Sequence, residues 1–260
     1  MSTSDDDAPE SDVEDDRLLA SEEPTDVAVP TPVLDQLRLA GRPTVHRYCE
    51  AAGEYVRMAS LMRRGQAKAV QLALSSSLAL ITLLDLRDRL GMSLPHAFAG
   101  EREVGGGLRE VKADVSEMTA IDGLTLAVEL KPVHLAVGRA IWNRFGDVRT
   151  FAVNVHLKFP FAVVGGVMTL PTSERSKSGT DQQWKTTVHL VERAIARFVR
   201  AGGRRTEGDA PHLLESIAVV AFDRESGAIH PDLPPAGSGL RWDEFIDALA
   251  TAYDARFGAV

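Results

Sequence analysis

Asp114, Glu129 and Lys131 are two carboxylates and an ammonium, set fifteen and two residues apart in the middle of the chain. Two carboxylates can share oxygen ligation of Mg2+, which takes one or two such groups and keeps several waters. A cation so held lowers the pKa of a bound water and clamps a phosphate oxygen. An ammonium beside it can orient the attacking water and offset the charge that builds on a pentacovalent phosphate. Those residue types therefore suit phosphodiester hydrolysis, provided that the chain brings them together. The plainer use of the same residues is a cross-strand ion pair on an exposed sheet face, a contact of ~0–1 kcal/mol.

The elements that must bring them together are strands at about 110–119 and 124–131. They flank Ile121-Asp122-Gly123-Leu124, and Asp-Gly between alternating apolar runs is a strong hairpin signal. With Asp122 and Gly123 as the two loop residues, Met118 faces Ala127, Ser116 faces Glu129 and Asp114 faces Lys131. Opposed Cβ atoms in such a hairpin lie ~5 Å apart and diagonal ones ~7 Å. Asp114, Glu129 and Lys131 then share one face at one sheet end. The other face carries Val115, Ile121, Leu124, Leu126, Val128 and Leu130, with Glu117 as its exception, and reads as core.

Helical spacing marks 33–64, with a break at Gly41-Arg42-Pro43, and more strongly 66–90. It recurs at 134–158 ahead of Pro160, at about 181–200, and at 242–257. Strands are expected at 161–170 and 215–223, and the glycine-rich 100–109 reads as a loop or weak strand. This order predicts an α/β domain around a mixed sheet.

In that order of elements the stretch resembles the PD-(D/E)xK nuclease superfamily. The motifs are Lys112-Ala113-Asp114 opening the hairpin, Glu129-Leu130-Lys131 closing its second strand, then a helix and the strand from Phe161 to Leu170. Ala113 stands where the family name has proline. The resemblance spans about residues 66–223. It implies a restriction-endonuclease-like mixed sheet flanked by helices, here with an N-terminal helical extension at 31–64 and a last helix at 240–258. It further implies a Mg2+-dependent DNA endonuclease of the restriction or defence kind, with Asp114, Glu129 and Lys131 catalytic and the two acids holding the metal. A homodimer is expected by analogy, because cutting both strands needs two sites. The rival reading is a catalytically inactive module of the same fold that holds DNA or a partner. Glu101 or Glu103 could add a third acid, and Glu110-Val111-Lys112 is a competing Glu-x-Lys.

Further candidates surround this set. Arg139 and Asn143 follow the Glu-x-Lys strand at helical spacing, and in such nucleases that helix commonly adds a polar group. Residues 173–187 are polar and turn-rich, and their Arg175, Lys177 and Lys185 are of the types that contact phosphates. Arg193, Arg197, Arg200, Arg204 and Arg205 could extend a basic stripe. The histidines show no zinc-ligand spacing, and only His134 lies near the proposed trio.

The net charge of −8 conceals two halves: residues 1–30 hold 11 acids and one Arg, which leaves 26 acids and 28 bases for 31–260. The remainder is thus near neutral and is not repelled by nucleic acid as the total suggests. The single cysteine and the acidic opening MSTSDDDAPE point to a reducing, cytoplasmic setting. The run AVQLALSSSLALITLL reads as too short and too polar for a bilayer, so no membrane is expected. Residues 1–30 cannot bury enough apolar surface to offset an ordering entropy of ~1–2 kcal/mol per residue. Deleting them should leave the melting transition of the remainder unchanged, and a lowered midpoint would show that they pack.

Overall fold

Two of the apolar runs are buried on both sides, and they set the plan of the molecule. In a computed structural model that describes residues 42–91, 94–175 and 183–258, every residue of β4 (Val163–Pro171) and of β7 (Ser216–Phe222) is buried. Near-continuous apolar runs of this kind belong to parallel strands covered on both faces. The remaining strands of the main sheet are β1 (Phe98–Val104), β2 (Val111–Thr119) and β3 (Gly123–Leu130). The order is β1-β2-β3-β4-β7, antiparallel from β1 to β3 and parallel from β3 to β7. A short ribbon, β5 (Ser173–Arg175) with β6 (Trp184–Thr186), follows β4. The chain is therefore mixed α/β, with a five-stranded mixed sheet flanked by helices.

The helices divide between the faces. On one side α1 (Val45–Met58), α2 (Arg64–Leu90) and α5 (Trp242–Phe257) pack on Leu126, Val128, Val167 and Val220. On the other, α3 (Val137–Lys158) and α4 (Val188–Phe198) cover Ala127, Val164, Met168 and Val219. The helix expected at 181–200 begins later, at Val188, because Trp184–Thr186 pairs with Ser173–Arg175 as a strand. The acidic stretch 1–30, residues 31–41 of the helical extension, and Lys177 lie outside the described residues.

The apolar run read as too short for a bilayer belongs to a longer helix. By length and composition α2, with 27 residues, could cross a membrane. Its Val70, Leu74, Leu78, Ile81 and Leu86 are fully buried in the core beneath the sheet.

The hairpin register differs from the expected one. Thr119 pairs with Gly123, so the loop has three residues and Gly123 takes a φ of 69°. Asp122 closes the turn, its N–H donating to Thr119 Oγ1 at 2.8 Å. Further along, Met118 faces Leu124 but Glu117 faces Leu126, which makes Thr125 an extra, bulged residue on β3. Val115 then faces Val128, and one step on Asp114 stands across from Glu129 rather than Lys131.

The ends of β4 and β7 away from the hairpin's free end are tied by a buried charge network. Glu215 Oε1 lies 3.1 Å from Arg204 Nη1 and 2.8 Å from Arg256 Nη1, while Oε2 accepts the Val164 N–H at 2.7 Å. His156 Nε2 is 3.3 Å from the same Oε2. Burial alone would raise the Glu215 carboxyl, but His156, Val164 and Arg256 outweigh it and hold it below its ordinary value. Arg204 is therefore a core residue and drops out of any surface basic stripe. Glu215→Ala would strand the buried Arg204 guanidinium and the half-buried one of Arg256, and should cost about 3–5 kcal/mol of stability. Denaturant unfolding of the variant measures this, and a loss below ~1 kcal/mol would mean that solvent reaches the network.

Candidate active site

The Thr125 bulge keeps Glu129 on the α3 side of the sheet, together with Asp114 and Lys131. The three line one open cavity of about 370 Å³ with Glu101, Glu110, Lys112, Arg109 and, from α3, Arg144, Asp147 and Phe151. Glu110 and Lys112 are the competing Glu-x-Lys. They reach the same cavity because β2 begins where antiparallel β3 ends. Of the two reserve acids, Glu101 lines the cavity and Glu103 does not.

Asp114 Oδ2 accepts the Leu130 N–H at 2.7 Å, which fixes the carboxylate across the end of β3 and leaves Oδ1 for a ligand. Glu129 Oε1 contacts Lys131 Nζ. Glu129 is only 7% exposed, so the exposed ion pair that the sequence allows is not what the fold builds. Burial pushes the Glu129 carboxyl up to about 7; Lys131 opposes that shift, and the charges of Asp114 and Asp147 add to it. Burial also raises Asp114, against the Leu130 N–H and Lys131 and with help from Glu101.

The helix presents its polar groups through close packing. Gly166 lies beside Glu129 in the parallel register, and a Cβ there would come within 2.6 Å of Val148 Cγ1. Glycine thus lets α3 approach the sheet at the residue next to Asp147. Asp147 pairs with Arg144 at 3.2 Å on the cavity wall. At ~100° of helical rotation per residue, Arg139 turns away from Arg144, while Asn143 shares the stripe of Asp147 one turn nearer the start of α3. They are exposed nearer the start of α3 and do not line the cavity.

The other sequence candidates are engaged elsewhere. Arg175 donates to Ser60 Oγ at 2.7 Å and lies over the Trp184 ring, and Lys185 pairs with Glu174 at 3.1 Å. Both belong to the β5–β6 ribbon. His134 is buried, 3.0 Å from the Tyr48 hydroxyl, and burial pushes its pKa down to about 4, so it stays neutral behind the site.

Five carboxylates against four cations line the cavity. A facing pair of acids, both held above their ordinary pKa, is an arrangement that a hard cation relieves, and Mg2+ needs no more than one or two carboxylates. The residues present therefore fit a divalent ion, held by Asp114 and Glu129. Among the described residues no three His, Cys, Asp or Glu side chains form a ready cage, so the fit rests on that pair. No family model, curated protein or solved structure matches the chain.

Between its ordinary 4.5 and about 7, folded Glu129 keeps a proton that the unfolded chain has released. Ionisation here opposes folding, so this group's contribution falls as pH rises through the window and is constant above it. Wild type should lose stability relative to Glu129→Gln across that window. Denaturant melts of both proteins check this, and a gap independent of pH would show that Glu129 ionises freely in the fold.

Proposed function

We propose that this protein is a Mg2+-dependent DNA endonuclease of restriction-endonuclease-like fold. The observation that carries the reading is the facing pair Asp114 and Glu129, with Lys131 against a buried Glu129, together in one cavity at the end of β3. The order of Asp, Glu-x-Lys, helix and strand, which resembles the PD-(D/E)xK superfamily, supports it. So does the mixed sheet with β3, α3 and β4 in the sequence expected.

Asp114 and Glu129 would hold the metal, which when bound supplies an acidified water and a clamp on a phosphate oxygen. Asp114 does so with its orientation already set by the Leu130 N–H. Lys131, held against Glu129, would orient the attacking water and offset charge on the phosphate as it becomes pentacovalent. Without a cation the excess of carboxylates repels a phosphate, so these residues make substrate entry depend on metal. Ligation would require Glu129 to lose its proton, so metal affinity should rise with pH up to about 7.

Incubation with supercoiled plasmid tests the reading. Nicked or linear DNA should form with Mg2+ and not with chelator. Glu129→Ala should abolish cleavage, and Lys131→Ala should lower the rate by at least about 100-fold while leaving the metal concentration for half-maximal activity within a few-fold. DNA that is bound but never cut would favour the inactive binding module. Wild-type cleavage by Lys131→Ala would reduce the trio to a structural ion pair.

A further inference from the structure

Of the four cations lining the cavity, three are committed to acids. Lys131 contacts Glu129, Lys112 lies 3.2 Å from Glu101, and Arg144 lies 3.2 Å from Asp147. Arg109 alone makes no ion pair among the described residues, and its side chain is exposed at the cavity wall. Its backbone is nonetheless held firmly. Asn154, on α3 and 1% exposed, accepts the Leu108 N–H at 3.2 Å and the Arg109 N–H at 3.0 Å on Oδ1. Its Nδ2 donates to Thr150 O at 2.9 Å, and its own carbonyl accepts the Gly107 N–H at 2.7 Å.

The glycines of this turn explain how it comes so close. A Cβ at Gly106 would lie 2.1 Å from Arg109 O and 2.9 Å from Asn154 Cβ, and one at Gly107 would lie 2.3 Å from Leu157 Cβ. The triplet is thus a surface laid flush on α3, not a cradle for phosphate. A buried amide with its hydrogen bonds directed at one exposed turn fixes where the next side chain starts, and that side chain is an unpaired guanidinium.

We propose that Arg109 is the cation that grips a phosphate of the DNA at this cavity, and that Asn154 is its positioning residue. The proposal rests on the nuclease reading for its ligand. Arg suits the role, because its planar donors engage two phosphate oxygens at once. The three paired cations would each have to leave a carboxylate first.

Binding of a fluorescein-labelled DNA duplex, with Ca2+ in place of Mg2+, reads the contact apart from cleavage. Arg109→Ala should weaken binding about ten-fold and reduce the slope of log affinity against log salt by about one. Asn154→Ala should weaken binding in the wild-type background and add little when Arg109 is already Ala. If Asn154→Ala does not fold, Arg109→Ala decides the matter alone. Unchanged affinity and slope in Arg109→Ala, with plasmid still cut by wild type, would overturn this assignment and leave the nuclease reading standing. Binding lost in Arg109→Ala would support it even if wild type does not cut. Wild type that neither binds nor cuts would remove both.

Discussion

One extra residue, Thr125, decides on which face of the sheet Glu129 lies. Side chains alternate along a strand, so a slip of one residue exchanges core and site. The three-residue loop that closes at Thr119 and Gly123 would by itself put Asp114 opposite Val128, with Glu129 turned toward the α1–α2–α5 core. The bulge at Thr125, whose hydroxyl donates to Glu117 O at 3.2 Å, restores the parity. Leu126, Val128 and Leu130 stay in the core on one side, and Glu129 joins Asp114 on the other. An entire carboxylate pair thus depends on how a turn six residues away is closed.

Two of the three buried glutamates among the described residues, Glu215 and Glu129, show what that position costs. Glu215 has Arg204, Arg256, His156 and the Val164 N–H around it, and its pKa falls below the ordinary value. Glu129 is nearly as buried but has one cation, Lys131, and two further carboxylates near it, and its pKa rises. The first is a satisfied structural network. The second is a site short of positive charge, and such a deficit in a cavity is what a ligand can supply. Burial is similar in the two cases, so partners rather than burial set the direction of the shift.

Strands β2, β3, β4 and β7, α3 and the last helix could be read from periodicity, Asp-Gly and Pro160, because those signals are local. The convergence of Asp114, Glu129 and Lys131 could be read as well, since an error of two in register preserves the face. The pairing itself could not, because a bulge leaves no mark in composition: Thr125 looks like any strand threonine. The contribution of α3 was misplaced for a related reason. Spacing identifies a helical stripe but not which of its turns meets the site, and the contact of Val148 with Gly166 places that turn beside Asp147. Arg139 and Asn143 lie nearer the start of α3 and fall short of the cavity. Arg109 was hidden further still, since only the packing of the glycine turn on Asn154 brings it to the cavity.

Those contacts also account for the shape of the site. The β2–β3 hairpin supplies the acids and Lys131, and α3 supplies one wall directly and another through the turn it holds. Val148 against Gly166 sets how near α3 lies to Glu129, and Asn154, nearly two turns along, sets where Arg109 stands. The same rigid helix thus fixes the spacing between the carboxylates and the unpaired guanidinium. A shift of α3 would therefore move the wall beside Glu129 and the turn that carries Arg109 together. Loops at the cavity could not hold that distance, because their backbone is free to adjust on each side separately. Building both walls on one helix removes that freedom, and it explains why a buried asparagine and a run of three glycines are found where a surface turn would ordinarily be solvated.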